Sequence, residues 1–286
     1  MFRLNLDKVQ EGGMIIGRGG NGGVYPYGDP QTSNWVVKII HTISLIHFLR
    51  ALSEIILGLS CDHFAIVPTV GFNWKQVTFH AEQSQFKIYI KMARMQQNLR
   101  TFIGKKRQNL SLKEIVKIFY ALASALDYLH QRRIAHRDIK PNNILLDHQN
   151  NVFLSDVGSA IRVHEDEKSY TVSIAEGTLQ YEPPEIAKFK GKVHKKAFFK
   201  GDIWSFGLTL LQLCSLDLKT FSDKEEDKKD QINRMLKQIE VIYNKSLANV
   251  LRKLVEWDPE ERPFAHDVCK YLKNNFSHLL VNLIDT

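Results

Sequence analysis

The sequence has few cysteines and no long apolar run, and both absences limit the kinds of protein it can encode. No stretch approaches the roughly 18 consecutive apolar residues that a membrane-spanning helix needs. The N-terminal stretch MFRLNLDKVQ also lacks the apolar core of a signal peptide. The three cysteines, Cys61, Cys214 and Cys269, lie far apart, without the close pairs of a structural zinc site. We therefore expect no membrane segment and buried thiols in a reducing compartment, the cytoplasm or the nucleus.

The charge balance is basic, but its distribution argues against a nucleic-acid partner. The 286 residues include 39 Lys and Arg against 31 Asp and Glu, which gives a net charge of +8. These cations are spread along the chain without interleaved aromatic residues, so no nucleic acid is expected as a partner. With 44% apolar and 24% charged residues, the composition is that of a globular protein, long enough for a sizeable core and two lobes.

A glycine-rich segment, IGRGGNGGV at 16–24, stands near the N-terminus. Its glycines fit the spacing G-x-G-x-x-G, namely Gly17, Gly19 and Gly22. Glycines let two strands turn tightly and let backbone N–H groups approach phosphate oxygens. A dinucleotide site would need a helix directly afterwards, but the chain continues into a turn and the strand-like WVVKII around Lys38. The segment is therefore either a flexible hairpin or a phosphate-binding loop between strands.

A lysine and a glutamate in the first third of the chain form a candidate ion pair. Lys38 ends an apolar triplet, so its ammonium is expected to be partly buried and to need an anion. The stretch 43–59 predicts an amphipathic helix in which Glu54 is the only acidic residue. The apolar face predicted for this helix consists of Ile43, Ile46, Leu49, Leu52, Ile55, Ile56 and Leu59. The alternative is an edge-strand lysine whose ammonium reaches solvent.

The segment HRDIKPNN at 136–143 places a carboxylate, an ammonium and an amide close together. Because Pro141 cannot continue a helix, the backbone must form a loop, and the three polar groups can converge in one pocket. These groups are Asp138, Lys140 and Asn143. A solvated turn is the alternative. The loop follows a predicted helix that begins at Ser111, where Ser111 and Glu114 form a capping box.

Beyond the loop, the segment VFLS predicts a short strand that ends on Asp156 and is followed by a glycine. With Asn143, Asp156 could supply oxygen ligands to Mg²⁺, which usually takes one or two carboxylates together with substrate phosphates. An Asp–Gly turn is the alternative. Further along, DIWSFGLTLLQLC from Asp202 predicts a helix that is apolar all round and hence buried, and the charged run at 223–230 predicts an exposed connection.

Taken in order, these segments resemble a eukaryotic-type protein kinase of the serine/threonine type, from about residue 12 to about residue 275. The matching segments are the glycine loop at 17–24, WVVK at 35–38, the helix with Glu54, HRDIKPNN, DVG at 156–158, PPE at 183–185, DIWSFG at 202–207 and Arg262. The resemblance implies an α+β, bilobal fold, with a small antiparallel β lobe carrying one helix and a larger, mainly helical lobe. It implies a single catalytic domain over 1–286, divided into an N-lobe at 1–92, a hinge at 93–95 and a C-lobe at 96–286.

The resemblance also implies a binding site for ATP and Mg²⁺, with Mn²⁺ as a substitute. Lys38, held by Glu54, would contact the α- and β-phosphates, and Asn143 and Asp156 would hold the metal. The remaining ATP-binding residues would be Ile16, Gly17, Gly19, Gly22, Val24, Val36, Met92, Ala93, Met95 and Leu145.

The acceptor implied by the resemblance is a serine or threonine hydroxyl of a protein substrate. Asp138 would accept or orient the proton of that hydroxyl, and Lys140 would neutralise charge on the transferred phosphoryl group. Lys140, two residues after Asp138, and Thr178 in GTLQY match kinases of the serine/threonine type. The alternative is a pseudokinase that acts as a nucleotide-binding or scaffolding module.

In the family, the segment before Thr178 often carries a regulatory phosphate. Here Ser173, with Thr171 as second choice, matches the acceptor position, and Arg137 and Arg50 would bind the phosphate. Alternatively, the acidic residues at 165–167 neutralise the same arginines without modification.

Three positions depart from the family pattern. Val157 stands where phenylalanine is usual, and Gly58 stands where the helix usually offers that ring a large apolar residue. Both changes remove volume, and the expected shortfall is on the order of a few kcal/mol unless neighbours fill the space. Val36 replaces the usual alanine above the adenine, which should narrow the pocket without closing it.

Overall fold

The computed structural model describes residues 3–11, 13, 15–19, 22–42, 44–79, 83–164, 169–171, 178–187 and 192–281. The chain divides into two compact units. The first comprises Met1–Gln96 together with Asp156–Gly158, and the second comprises Gln97–Ser155 and Ser159–Thr286. The first unit thus includes a short segment that the sequence places in the large lobe. Within this unit, the Asp156 carboxylate pairs with Lys38.

The first unit is an antiparallel five-stranded sheet packed against one helix. Its elements are β1 (Gly17–Gly19), β2 (Gly22–Pro26), β3 (Trp35–Thr42), α1 (Leu45–Ser60), β4 (Thr69–Phe79) and β5 (Gln83–Ala93). The strand order is β1-β2-β3-β5-β4. Side chains alternate between the faces of a strand, so Lys38 shares a face with Ile40, which packs against Ala51 and Ile55 of α1. This alternation directs Lys38 toward the helix.

Helix α1 confirms its predicted apolar face only in part. Ser44 caps its start, so the helix begins at Leu45, and Ile43 lies outside the described residues. Three side chains of the predicted apolar face are largely exposed, namely Ile46 at 63%, Leu49 at 53% and Ile56 at 64%. Ile55 of the predicted face is buried, and Leu52 and Leu59 of that face pack against the core. The other buried positions are Ala51, Glu54, Leu57 and Gly58. Apolar residues occur on more than one side of this helix, so periodicity alone could not select the side that meets the sheet.

The second unit is mainly helical. Its helices are α2 (Leu99–Lys105), α3 (Leu112–Gln131), α4 (Pro184–Ala187), α5 (Lys195–Ser215), α6 (Glu225–Ile242), α7 (Lys245–Leu254) and α8 (Ala265–Phe276). Its strands are β6 (Gln97–Asn98), β7 (Ile134–Ala135), β8 (Ile144–Leu146), β9 (Val152–Leu154), β10 (Ile161–Arg162), β11 (Ser169–Thr171) and β12 (Lys192–His194). They pair as β6-β8-β9, β10-β7 and β11-β12.

Two helices of this unit confirm their predictions, and a third corrects one. The Ser111 hydroxyl accepts from the Glu114 N–H, and the Glu114 carboxylate accepts from the Ser111 N–H, which is the predicted capping box at the start of α3. Helix α5 is buried along Gly201–Ser215, as its apolar sequence predicts. The prediction that the charged run at 223–230 is an exposed connection is wrong, because α6 begins within this run at Glu225 and Lys228 is buried. Among the described helices, none has the length and apolar character needed to span a membrane.

Candidate active site

The predicted ion pair forms in the first unit and includes a third residue. The Lys38 ammonium lies 2.6 Å from Oε1 of Glu54 and 2.8 Å from Oδ1 of Asp156. Strand β3 supplies the lysine, α1 supplies the glutamate, and the aspartate follows β9. We call these three residues the Lys38 cluster. Edge-strand exposure is excluded, because the Lys38 side chain is only 18% exposed.

Two carboxylates share one ammonium in the Lys38 cluster. Burial alone would lower the pKa of Lys38, but the charges of Glu54 and Asp156 outweigh this effect and raise the pKa above its ordinary value. Burial raises the pKa of Glu54, against the lowering effect of Lys38 and with a further raising effect from Asp156. The lysine therefore stays charged, and the cluster has an excess of negative charge that a further cation would relieve.

The backbone at Asp156 and Gly158 adopts conformations that bring the cluster together. Asp156 has φ of 62°, in the left-handed region that Asp and Asn adopt more readily than most residues. A Cβ atom at Gly158 would lie only 2.9 Å from Oε2 of Glu54. A larger residue at 158 would therefore have to shift the glutamate that holds Lys38.

The loop at 136–143 gathers its polar groups as predicted. The Lys140 ammonium donates to both carboxylate oxygens of Asp138, at 3.0 and 2.7 Å, and to Oγ1 of Thr178 at 2.6 Å. Thr178 Oγ1 donates to Asp138 Oδ1 at 3.1 Å, and Nδ2 of Asn143 donates to Asp138 Oδ2 at 2.7 Å. We call Asp138, Lys140, Asn143 and Thr178 the Asp138 cluster. A solvated turn is excluded, because the Asp138 side chain is only 12% exposed.

A buried carboxylate on α5 fixes the start of this loop. Asp202 is 2% exposed and accepts from the backbone N–H groups of His136 and Arg137, at 2.8 and 2.7 Å. Nε2 of His130 lies 2.9 Å from the same carboxylate. The sequence indicated Asp202 only as part of a matching segment and missed this anchoring. The sequence did offer one signal, because Asp202 is the only carboxylate in the apolar segment that begins with it. A carboxylate that is buried with such a segment needs several hydrogen-bond donors.

Comparison with known proteins identifies the family. A family model described as "Protein kinase domain" matches residues 11–272. The chain belongs to the eukaryotic-type protein kinase family. The match confirms the family that was expected from the sequence. The antiparallel sheet of one unit and the mainly helical structure of the other confirm the expected α+β fold class.

Curated relatives of this kinase are serine/threonine-protein kinases. It is 27% identical over 255 residues to AtPK1/AtPK6 of Arabidopsis thaliana, which covers 87% of this chain and 50% of that protein. It is 30% identical over 179 residues to Nek4 of Mus musculus, covering 61% of this chain and 22% of that protein. It is 33% identical over 205 residues to the probable LRR receptor-like serine/threonine-protein kinase RPK1 of Arabidopsis thaliana, covering 70% of this chain and 35% of that protein. The chain spans about half the length, or less, of these curated relatives.

The glycine-rich segment of the kinase forms a hairpin, as predicted. β1 and β2 pair antiparallel with Gly17 opposite Val24 and Gly19 opposite Gly22. A Cβ atom at Gly22 would lie 1.7 Å from the backbone oxygen of Ile39, so only glycine allows β2 to approach β3 here. The Ile16 N–H donates to Val24 O at 2.8 Å and extends the pairing. The hairpin thus exists, and its role at phosphate stays a prediction.

The other predicted ATP-binding residues are distributed over both units. Val36 lies in β3, Met92 and Ala93 end β5, and Met95 follows this strand within the first unit. Leu145 lies in β8 of the second unit. Val36 is buried at 4% exposure, and Met92 packs against the core under α1.

The expected shortfall of volume does not arise at Gly58, because a neighbouring side chain fills the space. Gly58 is buried, and a Cβ atom there would lie 2.7 Å from Oγ1 and 3.1 Å from Cβ of Thr69. The side chain of Thr69, at the start of β4, therefore already occupies the place of the missing side chain. Val157 is also buried, at 6% exposure. Helix α1 is thus packed at the very position where the family pattern suggested a gap.

The predicted phosphate-binding and phosphate-accepting residues are only partly described. Ser173 and the acidic residues at 165–167 lie outside the described residues, and Thr171 ends β11. The Arg137 guanidinium lies 5.4 Å from the ring centre of Phe198, and the backbone at Arg137 has φ of 69°. Arg50 lies on the exposed side of α1. The roles of these residues stay predictions.

The two predicted metal ligands each carry an oxygen atom of the kind that a hard divalent cation prefers. Nδ2 of Asn143 donates to the backbone and side-chain oxygens of Asp138, which leaves the amide oxygen as the ligating atom. The Asp156 side chain is 40% exposed and belongs to a cluster with excess negative charge. Within the described ranges, no group of three or more His, Cys, Asp or Glu residues is placed to hold a metal. Metal binding by Asn143 and Asp156 stays a prediction.

Proposed function

We propose that this chain is an ATP-dependent protein kinase that transfers the γ-phosphoryl group to a serine or threonine of a protein substrate. The observation that carries this proposal is the Asp138 cluster, in which a carboxylate is held by an ammonium, an amide and a hydroxyl. Membership of the protein kinase family and the names of the relatives support it.

The Lys38 cluster would position the triphosphate. Its ammonium carries a stable positive charge and is directed by Glu54, so it can bind the α- and β-phosphate oxygens. Asn143 and Asp156 would hold Mg²⁺, with Mn²⁺ as a substitute, and the bound metal would neutralise charge on the phosphates.

The Asp138 cluster would position the acceptor. The Asp138 carboxylate would accept a hydrogen bond from the substrate hydroxyl and take its proton as the new O–P bond forms. Lys140 would neutralise negative charge on the transferred phosphoryl group, and it is already held by Asp138 and Thr178. Because the transition state is loose, most of the rate would come from placement and charge neutralisation, with the base worth about 10² to 10⁴.

The serine/threonine acceptor rests on the contact between Lys140 and Thr178. This hydrogen bond joins the loop at 136–143 to the segment GTLQY, and it connects the two residues whose types match serine/threonine kinases. For location, we propose the cytoplasm or the nucleus, since Cys61, Cys214 and Cys269 form no disulfide with one another; only Cys214 is buried, whereas Cys61 and Cys269 are partly exposed. We also propose Ser173, or Thr171, as a regulatory phosphorylation site that Arg137 and Arg50 would bind.

A pseudokinase is the less favoured candidate. Lys38, Asp138, Asn143 and Asp156 are all present and have the contacts that the chemistry needs within each unit. The packing of Thr69 against Gly58 removes one of the two departures that favoured this alternative.

A labelling assay tests the proposal. The purified chain is incubated with Mg²⁺ and γ-labelled ATP, with and without a generic basic protein, and the labelled amino acid is identified. We expect label on serine and threonine that requires the metal and disappears in the Asp138→Asn variant. Label on tyrosine alone would overturn the acceptor class. Nucleotide binding without any transfer would favour the pseudokinase.

A further inference from the structure

A pocket that is open to solvent lies beside Asp138 in the second unit. Its apolar lining includes Ile186 on α4 and Phe198 on α5, and Thr178 also lines it. The pocket therefore includes two members of the Asp138 cluster. Since Asp138 would hold the acceptor hydroxyl, the pocket lies within reach of side chains close to the acceptor in the substrate.

Three carboxylates line this pocket, and two of them are satisfied within the protein. Asp138 is held by Lys140, Asn143 and Thr178. Asp202 accepts two backbone N–H groups and lies against His130. Neither carboxylate needs a substrate cation.

Glu182, the third carboxylate, is half-buried and lacks such a partner. Within the described part of the chain it has no hydrogen bond or ion pair through its side chain. Burial raises the pKa of Glu182, and the more distant charges of Lys228 and Arg137 only partly oppose this. Lys228, on α6, is itself buried at 8% exposure and also faces Asp223. A carboxylate placed in this way is stabilised by a cation that arrives from outside.

We propose that Glu182 selects substrates that carry Lys or Arg within two residues of the phosphoacceptor serine or threonine. The inference rests on the proposed function. The aliphatic stem of Lys or Arg fits the apolar wall formed by Ile186 and Phe198, and its charged end pairs with Glu182. An apolar side chain would bury Glu182 without a cation, and an acidic one would repel it, so the same residue disfavours both alternatives.

Arg137 is the group that argues for the opposite preference. It lines the same pocket, and a substrate carboxylate could pair with it. Its guanidinium is already placed near the ring of Phe198 and has other interactions. A preference for acidic substrates is therefore the competing result that the experiment must separate.

The test uses the full chain and a set of synthetic peptides with one serine in a neutral background. Arg, Leu or Glu is placed in turn at each position from two before to two after the serine. We expect kcat/KM to be at least tenfold higher with Arg than with Leu at one of these positions, and lowest with Glu. In Glu182→Gln, the ratio between the Arg and Leu peptides should fall below threefold. The matched control Glu240→Gln, on α6 outside the pocket, should keep the ratio of the unmodified chain.

Three results would overturn the inference: equal rates with Arg and Leu at every position, a preference for Glu, or an Arg preference that survives Glu182→Gln. The peptide series on the unmodified chain decides the first two, whether or not the variant folds. Folding of the variant is checked by its thermal melt. If no peptide or protein is labelled at all, the proposed function fails. If peptides are labelled without preference, only the substrate inference fails.

Discussion

The two charged clusters of this kinase differ in how their charges are balanced. In the Lys38 cluster one ammonium serves two carboxylates, so negative charge is in excess. In the Asp138 cluster a single carboxylate receives an ammonium, an amide and a hydroxyl. The first arrangement suits the binding of a further cation, and the second suits the precise placement of one carboxylate. The difference predicts that changes in the first cluster affect both stability and binding, whereas changes in the second mainly affect catalysis.

The largest effect is expected from Asp138→Asn. The amide keeps the shape of the carboxylate but cannot accept the substrate proton, so phosphoryl transfer should fall by about 10² to 10⁴. Binding of ATP should persist, because the Lys38 cluster is untouched. Transfer is measured with labelled ATP, and binding is measured with a fluorescent nucleotide. As a control, Asp230→Asn, at an exposed position on α6, should behave like the parent. Normal turnover in Asp138→Asn would contradict the assigned role.

The next effect is expected from Lys38→Met, which leaves Glu54 and Asp156 without their shared cation. We expect the free energy of unfolding to fall by about 2 kcal/mol, below the range for fully buried pairs because Asp156 is 40% exposed. Nucleotide binding should weaken as well. The double variant Lys38→Met with Glu54→Gln should recover part of the stability, because one uncompensated carboxylate is removed. The free energy of unfolding is measured by denaturant unfolding, and nucleotide affinity is measured by titration. If the losses of stability in the two single variants simply add in the double variant, Lys38 and Glu54 are not coupled.

A smaller effect is expected from Thr178→Val, which removes the hydroxyl that joins Lys140 to Asp138. The loss of these hydrogen bonds should lower kcat about tenfold, a cost of about 1.4 kcal/mol, with little change in the free energy of unfolding. Thr178→Ser is the matched control, since it keeps the hydroxyl and should retain most of the activity. If the valine variant turns over at the parent rate, the hydroxyl has no part in positioning the cluster.

The smallest effect is expected from Gly58→Ala, which tests packing beneath the Lys38 cluster. Its new methyl group would lie 2.7 Å from Oγ1 of Thr69, so the free energy of unfolding should fall by about 1 kcal/mol despite the better helix propensity of alanine. Adding Thr69→Ala should relieve this cost. If Gly58→Ala alone increases the stability, there is unfilled space beside Gly58, as its departure from the family pattern suggested.

Local sequence signals predicted much of this kinase. The capping box at Ser111 and Glu114 depends on contacts three residues apart, and the burial of α5 follows from its composition. Two local signals were misleading about burial. The charges of 223–230 predicted exposure, and the apolar residues of α1 predicted burial. α6 begins within the charged run and buries Lys228, whereas α1 leaves Ile46, Leu49 and Ile56 exposed. In both helices the packing partner decides which side is buried, and that partner is distant in the sequence.

The amino-acid sequence by itself determined the order of the motifs, the glycine hairpin and the groups able to act on a phosphate. These features depend on residue type and on spacing along a short segment. Tertiary structure alone decided that Asp156 pairs with Lys38 across 118 residues, that Asp202 anchors the loop at 136–143, and that Thr69 fills the space beside Gly58. Each of these contacts joins elements that are separate in the sequence. Whether such groups meet depends on how the elements pack, and local spacing carries no information about it.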